Sequence, residues 1–126
     1  MGEVEDRVPF RRMLEGLVAS IPGATGAILA DWEGEAVEQF CLGDVFELKV
    51  LAAHKGVILN LIKELHEAVA VGSPREAVIT TDEGHVMVGP VGADYALVVT
   101  LERRAIVGRA LLNFRGVVEA LHGEIY

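Results

Sequence analysis

Few residues in this 126-residue chain are of types that perform chemistry. The four histidines, His54, His66, His85 and His122, stand apart from one another and from the single cysteine, Cys41, so the ligand spacing of a zinc site is missing. Cys41 has no base beside it in sequence and reads as a small buried strand residue, not a nucleophile. Ser20 and Ser73 are the two serines, and neither sits in a nucleophile elbow. Glu33 and Glu35 flank Gly34 in a turn, where a pair of carboxylates is simply solvated. Gly23-Ala-Thr-Gly26 and Val88-Gly-Pro-Val-Gly92 lack the spacing and the lysine of a phosphate-binding loop and read as turns and strand ends. No catalytic residue, metal, cofactor or bound nucleotide is therefore expected, and a small hydrolase or transferase is disfavoured.

The elements that would position any site follow from periodicity. Phe10, Met13, Leu14, Leu17, Val18 and Ile21 fall within about 140° of a helical wheel. Pro9 suits the first turn of that helix, and Ile21-Pro22-Gly23 ends it because a residue before proline leaves the α region. Ala24 to Asp31, a turn at Trp32-Glu-Gly-Glu35 and Ala36 to Leu42 read as a β-hairpin. Asp44 and Glu47 form a capping pattern that opens a middle helix over about Val45 to Ala70. Glu76 to Thr81, His85 to Pro90 and Tyr95 to Leu101, separated by Asp82-Glu-Gly84 and Val91-Gly-Ala-Asp94, form a meander. A last helix, about Arg104 to His122, gathers Ile106, Val107, Ala110, Leu111, Phe114, Val117, Val118 and Leu121 on one face within about 140°. The order α-β-β-α-β-β-β-α predicts an α+β sandwich around a five-stranded, largely antiparallel sheet. One domain over residues 1–126 is expected, with residues 1–7 as a flexible N-terminus.

Composition sharpens this. With 52% hydrophobic residues and 24% charged, the chain is globular. Its mean hydropathy of +0.39 is high for a small domain. A membrane span is not expected, since Lys49, His54, Lys55 and Lys63 cut the apolar stretches. The start, Met1-Gly-Glu-Val-Glu-Asp6, is unlike a signal peptide, so a cytoplasmic location is expected. A net charge of −8 argues against nucleic-acid binding.

The surplus apolar content lies in the middle helix, whose apolar residues spread over roughly 240° of the wheel, more than one sheet face covers. A second copy meeting it across a two-fold axis, or a closely related paralogue, would cover the remainder. His54, in the middle of that arc, reads as a packed or paired imidazole that can bond across the dimer. Trp32 at the hairpin tip and Leu112 on the outer side of the last helix are the remaining exposed apolar candidates.

The order of elements, with Ile21-Pro-Gly-Ala-Thr-Gly-Ala-Ile-Leu-Ala-Asp-Trp-Glu-Gly34, Ala77-Val-Ile-Thr-Thr-Asp-Glu-Gly84, Val86-Met-Val-Gly-Pro-Val-Gly92 and Tyr95-Ala-Leu-Val-Val-Thr100, resembles the Roadblock/dynein light chain domain family over about residues 8 to 122. That family is related in fold to profilin and longin domains. The resemblance implies a non-catalytic dimer that regulates or scaffolds a Ras-like small GTPase, stimulation of GTP hydrolysis included, as in the bacterial gliding-motility regulator. It also implies that the second strands pair and the middle helices pack together, with Phe40, Leu42, Val50, His54, Val57, Ile58, Leu61 and Leu65 at the dimer interface. Trp32, Arg103 and Arg104 are the expected partner contacts. A small-ligand-sensing, profilin-like domain is the alternative, and it would need a sizeable apolar pocket.

Overall fold

The computed structural model describes residues 3–31, 35–43 and 75–126. Their elements, in chain order, are α1 (Glu3–Ser20), β1 (Ala24–Asp31), β2 (Ala36–Cys41), β3 (Ala77–Thr80), β4 (Gly84–Val91), β5 (Tyr95–Glu102) and α2 (Val107–Ile125). The five strands form one sheet in the order β2-β1-β5-β4-β3, and every neighbouring pair is antiparallel. The hairpin and the meander expected from the sequence are thus both present, joined along β1 and β5. The fold is α+β. The expected middle helix over about 45–70 lies outside the described residues.

Two helix boundaries differ from expectation. α1 begins at Glu3, so Pro9 lies inside the helix and the segment expected to be flexible is largely helical. A carboxyl-rich sequence suits an N-terminal turn, and the helix continues on both sides of Pro9 although the proline forfeits its i to i−4 bond and its ring crowds the carbonyl of the preceding turn. α2 begins at Val107 and not Arg104, because the chain first turns at residues 102–105: the Ala105 N–H donates to the Glu102 carbonyl at 3.1 Å. Gly23, at φ 91°, permits that turn. A Cβ there would stand 2.8 Å from the Cβ of Ala105, so a side chain would collide with the turn that leads into the last helix.

Strand alternation divides the interior in two. Ala27, Leu29, Met87, Leu97, Val99 and Leu101 face the helices and pack with Leu14, Leu17, Val18 and Ile21 of α1 and with Ala110, Phe114 and Leu121 of α2. Ile28, Ala30, Val88, Ala96 and Val98 point the other way and are 1% exposed or less, so the second face is dry as well. Each larger buried side chain contributes roughly 1.5–3 kcal/mol by leaving water. Phe114 is the largest of the fully buried set, and its ring lies so close to Gly89 of β4 that a Cβ there would stand 2.9 Å from it. Outside the core, Arg115 of α2 donates through Nε to Glu76 at 2.8 Å and also through Nη2 to the same oxygen, tying α2 to the chain entering β3.

The end of α2 is latched to the β4–β5 turn. Tyr126 donates its phenol to Asp94 Oδ2 at 2.9 Å, and the Asp94 N–H donates back to the phenol oxygen at 3.3 Å. Gly92, at φ 66°, lies under the ring, where any Cβ would overlap it. Loss of hydration and then the hydrogen bond to Asp94 hold the Tyr126 phenol above its ordinary value.

This packing sets the cost of two substitutions in α2. Phe114→Ala should lower unfolding free energy by about 3–5 kcal/mol in urea titrations. Leu112→Ala, on a side chain 68% exposed, should change it by no more than about 0.5 kcal/mol. The latch makes a pH prediction whose sign is set by the raised phenol: its contribution is complete below the unfolded tyrosine value of about 10 and disappears as pH rises through the higher folded value. In a Tyr95→Phe background, the 295 nm tyrosinate absorbance of Tyr126 should therefore titrate above the free-tyrosine midpoint. Asp94→Asn should move it down towards that midpoint.

Candidate interaction surface at the β2 edge

β2 is the outermost strand on its side of the sheet, and the register fixes which of its backbone groups face outward. Gly26 pairs with Cys41, Ala27 with Phe40, Ile28 with Gln39 and Leu29 with Glu38. The Leu42 N–H donates to the Thr25 carbonyl at 2.9 Å. Antiparallel ladders alternate bonded and non-bonded pairs, so Leu42, Phe40 and Glu38 bond to β1, while the N–H and C=O groups of Cys41 and Gln39 point away from the sheet. A bulge opposite Leu29 and Ala30 ends the regular pairing near Val37. Among the described residues no strand lies against this outer edge.

The side chains along the edge divide between the two faces. Phe40 shares the helix face with Ala27 and is half-buried against the α1 core. Cys41, expected to be buried, is half-buried; it packs on the opposite core and its thiol donates to the Gly43 carbonyl at 3.4 Å. Leu42, just past the strand, is 68% exposed.

Glu38 turns back along the strand. Its Oε1 accepts the N–H of Gln39 at 3.0 Å and lies 3.6 Å from Nη1 of Arg11 on α1, whose Nε donates to Glu15 at 3.2 Å. The Glu38 side chain is only 19% exposed, against 55% for Arg11. One of the outward N–H groups of the edge is thus already occupied from within the chain.

Arg103 and Arg104 are exposed in the turn after β5. The pairing of Ala24 with Leu101 and of Gly26 with Cys41 puts that turn at the same end of the sheet as Leu42. The same end carries a hydroxyl pair, Thr25 and Thr100, with Oγ1 atoms 2.7 Å apart. It also carries His85, whose Nε2 lies 3.0 Å from the Arg103 carbonyl and whose Nδ1 lies 2.9 Å from Thr80 Oγ1. A carbonyl only accepts, so Nε2 carries a proton and donates it to the Arg103 oxygen. His85 is therefore a clasp between β3, β4 and the turn carrying Arg103.

Phe40, Leu42, Arg103 and Arg104 are the expected site residues that fall within the described structure. Trp32 and the middle-helix set Val50, His54, Val57, Ile58, Leu61 and Leu65 lie outside the described residues. At the opposite end of the sheet from Leu42, Pro9, Phe10, Leu29, Val37, Tyr95, Glu124 and Ile125 line a cavity of about 300 Å³. Sequence reading did not anticipate this cavity or the Glu38–Arg11 pair, because both depend on which ends of α1, α2 and β2 meet. Among the described residues no three His, Cys, Asp or Glu side chains are grouped to hold a metal ion, and no helix is long and apolar enough to cross a membrane.

Comparison with known proteins places this geometry. The family profile described as the Roadblock/LC7 domain matches residues 11–101. Among solved structures, a Roadblock/LC7 domain from Streptomyces avermitilis superposes with a TM-score of 0.81 at 21% identity, covering 91% of this chain and 96% of that one. The gliding protein MglB from Thermus thermophilus gives 0.82 at 20% identity, covering 98% and 91%. Profilin IA of Acanthamoeba castellanii gives 0.64 at 11% identity, covering 93% and 99%. No curated protein sequence matches the chain. With the family pattern running from α1 to the end of β5, over the same hairpin and meander that build the sheet, the chain belongs to the Roadblock/LC7 domain family.

Proposed function

We propose that the protein is a non-catalytic, homodimeric interaction module of the cytoplasm that regulates or scaffolds a Ras-like small GTPase. The observation that carries this reading is the open β2 edge, with Gln39 and Cys41 backbone groups facing outward and Leu42 exposed beside it, in a member of the Roadblock/LC7 family. An open edge is a template for another strand, and a second copy of the same strand satisfies it symmetrically. In the proposed dimer, β2 pairs antiparallel with its copy and Phe40 and Leu42 border the junction. Val50, His54, Val57, Ile58, Leu61 and Leu65 pack across the two-fold axis, using the apolar arc that is wider than a sheet face needs. Trp32, Arg103 and Arg104 then contact the GTPase. The two arginines, exposed at the end of the sheet, supply cations to a partner's carboxylates in a chain that is acidic as a whole.

Sedimentation of the protein should show a dimer that Ile58→Asp and Leu61→Asp each dissociate; persistence of the dimer in both variants would remove the interface assignment. Mixed with the Ras-like GTPase encoded nearest to it, in GTP and GDP states, the dimer should form a complex. The Asp variants and Arg103→Glu with Arg104→Glu should weaken that complex at least about tenfold, a loss of roughly 1.4 kcal/mol or more. No complex in either nucleotide state overturns the proposed partner.

The cavity of about 300 Å³ favours one second reading, a small apolar ligand held between α1, α2 and the sheet. It sits at the lower bound of ligand pockets, with Tyr95 and Glu124 as its polar groups. This reading predicts saturable binding of one N-phenyl-1-naphthylamine per protomer, abolished by Val37→Phe. Absence of saturable fluorescence enhancement rejects it.

A further inference from the structure

We infer that the cavity at the Tyr95 end of the sheet selects a small amine, a primary ammonium head on a short apolar tail, with the Glu124 carboxylate and the Tyr95 phenol receiving the head. The inference rests on the second reading above, a ligand held between α1, α2 and the sheet, and adds the charge of that ligand. Apart from Tyr95 and Glu124, the residues lining the cavity of about 300 Å³ are apolar, Phe10, Leu29, Val37 and Ile125 among them. An apolar wall accepts any tail of the right size, so selectivity falls to the few polar groups.

Both of those groups are unengaged. Among the described residues no hydrogen bond or ion pair reaches the Glu124 carboxylate or the Tyr95 phenol. Asp94, next to Tyr95, differs: the Tyr126 phenol donates to it at 2.9 Å. That latch ties the residue after Ile125 to the residue before Tyr95, so the two segments carrying the polar groups are joined before a ligand arrives, which lowers the ordering cost of binding. A carboxylate only accepts hydrogen bonds, and a primary ammonium only donates them, through three N–H groups. The head can therefore bond to Glu124 and to the Tyr95 oxygen together. Phe10 and Tyr95 add two aromatic rings to the lining, and a ring face attracts a cation and repels an anion. An anionic head would meet Glu124 in a chain of net charge −8, and a neutral alcohol would forgo the ionic attraction. Glu124 is exposed, so the preference it confers is modest.

The test compares three heads on one tail, hexylamine, 1-hexanol and hexanoate, by protein-observed NMR titration of the full chain. Hexylamine should bind saturably, shifting the amides of Tyr95 and Glu124, roughly two- to fivefold tighter than hexanol, with hexanoate weaker than either. Its affinity should fall with added salt while that of hexanol does not. Glu124→Gln should erase the preference for the amine and leave hexanol binding unchanged. Val37→Phe, checked for folding by circular dichroism, should abolish binding of both. Equal affinity for amine and alcohol, or an amine preference that survives Glu124→Gln, overturns the inference and leaves the apolar cavity reading standing. So does N-phenyl-1-naphthylamine binding without hexylamine binding. Amine binding that persists in folded Val37→Phe puts the site elsewhere and overturns it too. If neither the hexyl probes nor N-phenyl-1-naphthylamine bind, the cavity reading fails and the inference with it.

Discussion

The structure depends on the pairing of β1 with β5. These two strands lie at the centre of the sheet, and they come from the hairpin and the meander respectively. Without that ladder each unit would be a small sheet with two wet faces. With it, β1 and β5 are flanked on both sides, and their side chains from Ala27 to Ala30 and from Ala96 to Val99 are removed from water. The helices gain a floor wide enough to cover, and α1 and α2 settle side by side on one face around Phe114. Edge character is thereby pushed outward to β2 and β3, the strands whose backbone groups have no neighbour on one side among the described residues.

The β2 edge carries two opposing tendencies in one short strand. Its outward backbone groups and the exposed Leu42 favour addition of a strand, while Glu38, steadied by Arg11, occupies one of the donors that addition would use. Neither contact is strong by itself, since an exposed ion pair is worth up to about 1 kcal/mol. Their placement matters more than their strength.

Much of this was legible in the sequence, and the reasons differ by element. β1, β2 and the meander could be read because Trp32 to Glu35, Asp82 to Gly84 and Val91 to Asp94 are local turn chemistry, and turns are decided within a few residues. The apolar faces of α1 and α2 were legible because Leu14, Leu17, Val18, Ala110, Phe114 and Leu121 recur at helical spacing. The helix ends were not. Pro9 is a first-turn residue by preference, yet α1 runs through it, and the start of α2 is set by the contact of Gly23 with Ala105, which pattern does not record. The site was legible in the same uneven way. Leu42, read as the last residue of the second strand, enters through the family resemblance, whereas the Glu38–Arg11 contact joins two elements whose relative position only the packed sheet determines. Likewise Tyr126 over Gly92 joins the end of one helix to a distant turn.

The bulge opposite Leu29 and Ala30 has a consequence for how long the β2 edge is. By placing an extra residue at Val37, it breaks the regular alternation before the hairpin turn, leaving the straight part of the edge only a few residues long. A short straight edge admits one partner strand in a narrow choice of offsets and gives no continuous template for stacking strand upon strand. The same kink that bends the hairpin therefore keeps the strand from offering a long flat edge.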